Sequence, residues 1–196
     1  GIAEYPAGDN VVADINAKTV TAHIPTYQSS RENTYNHDAA VAVAYSENNT
    51  LAFKNATALL KFTVKTDNIK GLIFYGLNGE ALTGNMLVSL NEDNTVKSVE
   101  GQLTELEGQE QLGIWAKLWA QTDNWCFNVG STYYLAVAPN NFSKGFGIKL
   151  EVEGKEVEVG TYKTEGYELR PNTILDLGEF EYVAPELPAT VETVYL

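Results

Sequence analysis

Residues 51–64 read Leu-Ala-Phe-Lys-Asn-Ala-Thr-Ala-Leu-Leu-Lys-Phe-Thr-Val, and the second half of this run decides the fold. Leu60, Phe62 and Val64 alternate with Lys61, Thr63 and Lys65. A β-strand turns successive side chains to opposite faces, so the run has one dry face and one wet face. The same period returns at Phe146, Ile148, Leu150 and Val152, at Val20, Ala22 and Ile24, and at Met86, Val88 and Leu90. His23 is out of phase with its apolar neighbours and is expected to face solvent.

The punctuation between these runs predicts how they pair. Val157 and Val159 follow Val152 across Glu153-Gly154-Lys155, a spacing that suits a hairpin. The continuous apolar run Leu72–Tyr75 ends at Gly76-Leu77-Asn78-Gly79, where Asn-Gly supplies the positive φ values of a tight turn, and Asn91–Asn94 is a turn of the same kind. Connections this short cannot make a parallel crossover, so antiparallel pairing is expected. Strands every 8 to 12 residues or so, with such turns between them, predict an all-β sandwich or barrel.

Composition narrows the function. The chain has 196 residues, enough for one large all-β domain with a core that needs no staples. Its one cysteine, Cys126, cannot form an intrachain disulfide. Twenty-six acidic residues against 13 basic ones give a formal charge of −13, which repels nucleic-acid backbones and anionic headgroups. No apolar window reaches the length of about 18 residues that a membrane-spanning helix needs, so no direct membrane insertion of this chain is expected. Gly1 is expected to follow a removed segment, such as an export or lipid-anchoring signal.

Three stretches depart from the strand pattern. Ser29–Asp38 is polar without alternation and is expected to be a long loop. Residues 184–196 hold Pro185 and Pro188 and are read as a linker followed by an extended tail. Within Glu105–Asn128, the residues Leu112, Trp115, Ala116 and Trp119 fall at three- and four-residue spacings, which predicts one short helical insertion bearing tryptophans.

The runs Leu51-Ala-Phe-Lys-Asn through Val64, Thr132-Tyr-Tyr-Leu-Ala-Val-Ala-Pro with Phe142-Ser-Lys-Gly-Phe, and Asn172-Thr-Ile-Leu-Asp-Leu-Gly-Glu-Phe resemble the fimbrillin-like surface proteins of Bacteroidetes. The resemblance extends from about Val20 to Tyr182. It implies an antiparallel, transthyretin-like β-sandwich of Greek-key type at residues 46–183, with residues 1–45 as strands and a loop from the end of a preceding sandwich. Members of that family build fimbriae or cap and anchor them, and many relatives are outer-surface lipoproteins. The resemblance therefore implies a cell-surface or outer-membrane location, a lipid anchor in the full-length form, and other fimbrial subunits or self as partners. A sandwich lacking one strand can accept an extended segment from a neighbour. The tail Val191-Glu-Thr-Val-Tyr-Leu, with Val191, Val194 and Leu196 as its apolar residues, is the candidate donor.

The residue inventory offers little for catalysis. His37-Asp38 near Ser29 and Ser30 lacks a nucleophile elbow, and two histidines with one cysteine make no zinc set. The acidic runs Glu105, Glu107, Glu110 and Glu151, Glu153, Glu156, Glu158 read as solvated strand faces. A non-catalytic chain without cofactor or metal is expected. Asn55 and Asn172, beside strands, are expected to bond nearby backbone, while Gly145 and Gly147 around Phe146 point to a close approach or a bulge. Trp115, Trp119 and Trp125 lie within 11 residues, and their rings could close one end of the sandwich, meet a protein, or stack on host or dietary glycans. The alternative function is thus a glycan-binding surface lipoprotein that uses an aromatic platform.

Overall fold

The computed structural model describes residues 1–8, 11–48, 50–102, 113–162 and 165–186. Among these residues every regular element is a strand, and the strands enclose two apolar cores.

The first core lies between two sheets. One has the order β10-β9-β3-β2, made of Val96–Gly101, Gly84–Leu90, Thr19–Ile24 and Ala13–Asp14. The other has the order β1-β5-β6, made of Ile2–Tyr5, Ala42–Tyr45 and Lys54–Asn55. Val20, Ala22 and Ile24 on β3 meet Met86, Val88 and Leu90 on β9, with Val43 and Ala138 closing the cluster. Residues 84–101 therefore pack with the first forty-five or so residues of the chain, although they lie well downstream. The expected turn Asn91–Asn94 joins β9 to β10, with Asn94 at φ 66°.

The second core is larger. Its five-stranded sheet runs β15-β14-β8-β11-β4, made of Lys155–Tyr162, Phe146–Val152, Gly71–Gly76, Trp115–Trp119 and Tyr27–Ser29. The opposing three-stranded sheet runs β12-β7-β17, made of Tyr133–Val137, Ala58–Val64 and Ile174–Phe180. A ribbon of β13 (Asn140–Phe142) and β16 (Tyr167–Leu169) closes one side. The alternation on β7 holds along its length: Ala58, Leu60, Phe62 and Val64 are buried. Phe62 meets Phe127 edge-on at 5.2 Å and Tyr133 at 5.8 Å, geometries in which aromatic pairs add to plain burial. Each such large side chain, fully buried, contributes about 1.5 to 3 kcal/mol. β14 turns into β15 through Glu153 (φ 45°) and Gly154 (φ 77°), the two successive positive φ values of a hairpin turn.

Two expectations are corrected. Pairing is mostly antiparallel, yet β17 runs parallel to β7 and β4 runs parallel to β11. Both parallel partners are far apart in the chain, so long connections remove the constraint that short turns impose. Over the described part of Glu105–Asn128 the helical insertion is also overturned: Trp115–Trp119 is a strand, paired antiparallel to β8 from Trp115↔Tyr75 to Trp119↔Gly71. As a strand it also pairs the facing backbone groups of β8 and β4, which a helix bonded within itself would leave open. The first part of that stretch, residues 105–112 with Leu112, lies outside the described residues. Ser29, placed in the polar loop by its sequence, is the last residue of β4, while Ser30 is buried and its hydroxyl accepts the Gln121 N–H at 2.8 Å.

Candidate functional site

Strand periodicity divides the five-stranded sheet into a core face and an outer face. Leu72 and Phe74, Ala116 and Leu118, and Ile148 and Leu150 point into the core, so Gly71, Ile73, Tyr75, Trp115, Lys117, Trp119, Gly147, Lys149 and Glu151 point outward. The register arranges them in rows across the strands: Trp115 beside Tyr75 beside Gly147, then Lys117 beside Ile73 beside Lys149, then Trp119 beside Gly71 beside Glu151.

The first row is pre-arranged. Gly147 leaves room for the Tyr75 ring, because a Cβ there would come within 2.3 Å of Tyr75 Cζ. The Tyr75 hydroxyl donates to the Glu158 carboxylate, 2.8 Å from each oxygen, which fixes the ring's tilt. Burial first, and then the Glu158 carboxylate, push the Tyr75 phenol up to about 12, so it remains a donor at neutral pH. On the other side Tyr27, exposed over 57% of its surface, meets Trp115 edge-on at 5.2 Å.

Beside these rings lies a groove of about 380 Å³ lined by the buried Ile73, the exposed Ile114, Tyr75, Gly76, Trp115, Lys149 and Glu156. Lys149 Nζ lies 3.9 Å from Glu156 Oε2 and 5.5 Å from the centre of the Tyr75 ring, and both side chains of the pair remain substantially exposed. At 3.9 Å the two charges attract weakly and keep most of their hydrogen-bonding capacity.

The three tryptophans that the sequence groups together part ways in the fold. Trp115 lines the groove. Trp119 shares its face, but the Lys117 ammonium sits over the Trp119 ring at 3.6 Å and is bonded to Glu151, so one ring face is already occupied. Lys117 is only 6% exposed, and the close approach of its chain to Gly71 explains why a glycine stands opposite Trp119. Trp125 lies in a turn beyond β11 at φ 58°, exposed over 60% of its surface. Tyr75, in register with Trp115, and Tyr27, in register with Lys117 but in edge contact with the Trp115 ring, come from two other strands and carry no local signal of their role.

A second feature stands at the edge of the larger core. β17 ends the three-stranded sheet and β15 ends the five-stranded one. Among the described residues, the apolar side chains packed on this core but only partly buried are Val157 on β15, Leu175 and Leu177 on β17, and Tyr167 and Tyr182. Lys155 Nζ reaches to 5.5 Å from the Tyr182 ring centre, tying the start of β15 to the chain beyond β17. The candidate donor residues Val191, Val194 and Leu196 lie outside the described residues.

The remaining candidates are structural. Asn55 Nδ2 donates to Asn172 Oδ1 at 2.7 Å, so these two amides bond each other rather than the backbone alone, and Asn172 holds a positive φ of 58°. His23 is exposed and bonds Asn85. The ring of His37 packs on Tyr35 at 4.6 Å, in an exposed stretch.

No family model matches the chain. No curated protein matches it. Among solved structures it is similar to a candidate cell adhesion protein from Bacteroides uniformis, at 12% identity and a TM-score of 0.48, over 90% of this chain and 66% of that one. A candidate cell adhesion protein from Bacteroides ovatus is similar at 14% identity and a TM-score of 0.44, over 90% of this chain and 61% of that one. The chain thus spans just under two-thirds of the length of each neighbour.

Proposed function

We propose that the protein is a non-catalytic cell-surface adhesion protein that joins other subunits, or copies of itself, by accepting an extended segment at the open edge of its larger core. The observation that carries this reading is the edge of β17, which has no second partner strand among the described residues and where Leu175 and Leu177 sit half-covered over the core and Ile174 is 59% exposed. An unpaired strand presents a row of backbone donors and acceptors, and apolar side chains beside it reward a partner strand with burial. The motif resemblance supports the same reading. It favours a fimbrial subunit, cap or anchor, a transthyretin-like Greek-key arrangement of each sandwich, and an outer-membrane location through a lipid anchor. Tail residues Val191, Val194 and Leu196 are the proposed donor.

Sedimentation over a concentration series tests this. The intact chain self-associates, and either Leu175→Lys with Leu177→Lys or deletion of residues 190–196 returns it to monomer while the far-ultraviolet spectrum stays β-rich. Unchanged association in both variants overturns the proposal.

A further inference from the structure

We infer that the groove between Trp115 and Tyr75 on the outer face of the five-stranded sheet binds one hexopyranose unit of a neutral glycan. This goes beyond assembly at β17, because the groove lies on a sheet face and the strand-accepting edge lies elsewhere in the sandwich.

Three observations identify the occupant. The first is shape: a groove of about 380 Å³, at the small end of the usual range of ligand sites, suits one or two sugar rings better than a peptide. The second is the composition of its walls. Trp115 and Tyr75 line it together with Ile73 and Ile114, aromatic and aliphatic carbon that matches the C–H face of a pyranose, while Tyr27 meets the Trp115 ring edge-on. Tyr75 is held in place before any ligand arrives, by Gly147 beneath it and Glu158 at its hydroxyl, so little ordering cost falls on binding.

The third observation is the rim. A sugar hydroxyl both donates and accepts, and Lys149 Nζ with Glu156 Oε2 offers one donor and one acceptor 3.9 Å apart, close enough for one hydroxyl set beside the pair to bond both. The charges argue against an acidic sugar. Lys149 is offset by Glu156 and Glu158, Lys117 is already committed to Glu151, and the chain as a whole carries −13. An extended peptide is disfavoured for another reason: β8, β11 and β14 are paired on both sides or lie inside the sheet, so their backbone groups are not free to pair with it.

Calorimetric titration of the full chain with neutral gluco-, manno- and galacto-hexaoses, and with hexagalacturonate as acidic counterpart, tests the inference. At least one neutral hexaose binds saturably, Trp115→Ala weakens it about tenfold, and Lys149→Met weakens it about threefold. Lys149 is exposed, so its substitution keeps the fold and separates lost contact from lost structure. Trp125→Ala leaves the affinity within twofold.

Several results overturn the inference. They are no binding of any neutral hexaose at millimolar concentration, tighter binding of hexagalacturonate, loss on Trp125→Ala with retention on Trp115→Ala, and Trp115→Ala abolishing self-association while no sugar binds. Monomerisation by Leu175→Lys with Leu177→Lys does not alter the sugar titration, so the two proposals fail separately.

Discussion

Replacing Gln28 with methionine should cost about 3 kcal/mol, far more than its place beside a polar stretch of sequence would imply. Gln28 is 2% exposed. Its Nε2 donates to the Ala136 carbonyl at 2.7 Å and to the Pro25 carbonyl at 2.9 Å, and its Oε1 accepts the Ala136 N–H at 2.9 Å. Gln28 belongs to β4 of the five-stranded sheet, and Ala136 to β12 at the edge of the opposing sheet. The side-chain amide therefore stands where the next strand's peptide group would, and stitches the two layers together. Methionine matches the length and apolar fit but leaves the Ala136 N–H and two carbonyls without these partners. A buried polar group left unpaired costs about 1 to 3 kcal/mol, and the carbonyls can recover part of this through local adjustment, so about 3 kcal/mol is the expected sum. In urea, with a slope of about 2 kcal/mol/M, the midpoint should fall by about 1.5 M at unchanged slope. Gln28→Glu should cost at least as much, because its carboxylate would face two carbonyl oxygens. A loss below about 0.5 kcal/mol for Gln28→Met, the range of an ordinary surface change, refutes the stitch.

Two further perturbations have definite signs. Burial pushes the Glu4 carboxyl from its ordinary 4.5 up to about 7, and its Oε2 has no hydrogen-bond partner. A folded-state value above the unfolded one stabilises fully below pH 4.5 and loses that contribution as pH rises through about 7. Because Glu4 is half-buried, solvent screening reduces the effect by about half, to about 1.5 kcal/mol. Glu4→Gln should flatten the pH profile of unfolding and raise stability at pH 8, and profiles that stay parallel contradict the assignment. Lys117→Met should cost about 1 to 3 kcal/mol by leaving Glu151 without its ammonium, and adding Glu151→Leu should recover most of the loss; a thermal-unfolding double-mutant cycle with no coupling contradicts the pairing.

Much of the architecture is legible from side-chain period alone, and what is not legible has identifiable causes. The dry faces of β7, β9 and β14 can be read because each strand packs one face on a core, so burial follows alternation. Trp115 and Trp119 mislead because a spacing of four places residues on one face of a helix and also of a strand. Ala116 and Leu118 settle the matter only once the core is known, since their spacing of two fits a strand. The parallel pairing of β17 with β7 is invisible locally, because its partner lies more than a hundred residues away. Of the groove, only Trp115 stands out in the sequence; Tyr27 and Tyr75 become its neighbours through register across β11, and Gly147 reveals its purpose only beneath the Tyr75 ring. Gln28 could not be found, since a buried amide and a solvated one look alike in sequence.

Hydrogen exchange read at the backbone amides along β17 tests the central claim most directly, with the chain held first as a dilute monomer and then at associating concentration. Addition of a strand predicts exchange slowed at least about tenfold along the free edge of β17 on association, with β12, at the opposite edge of the same sheet, unchanged. Association that leaves β17 exchange as fast as in the monomer contradicts it.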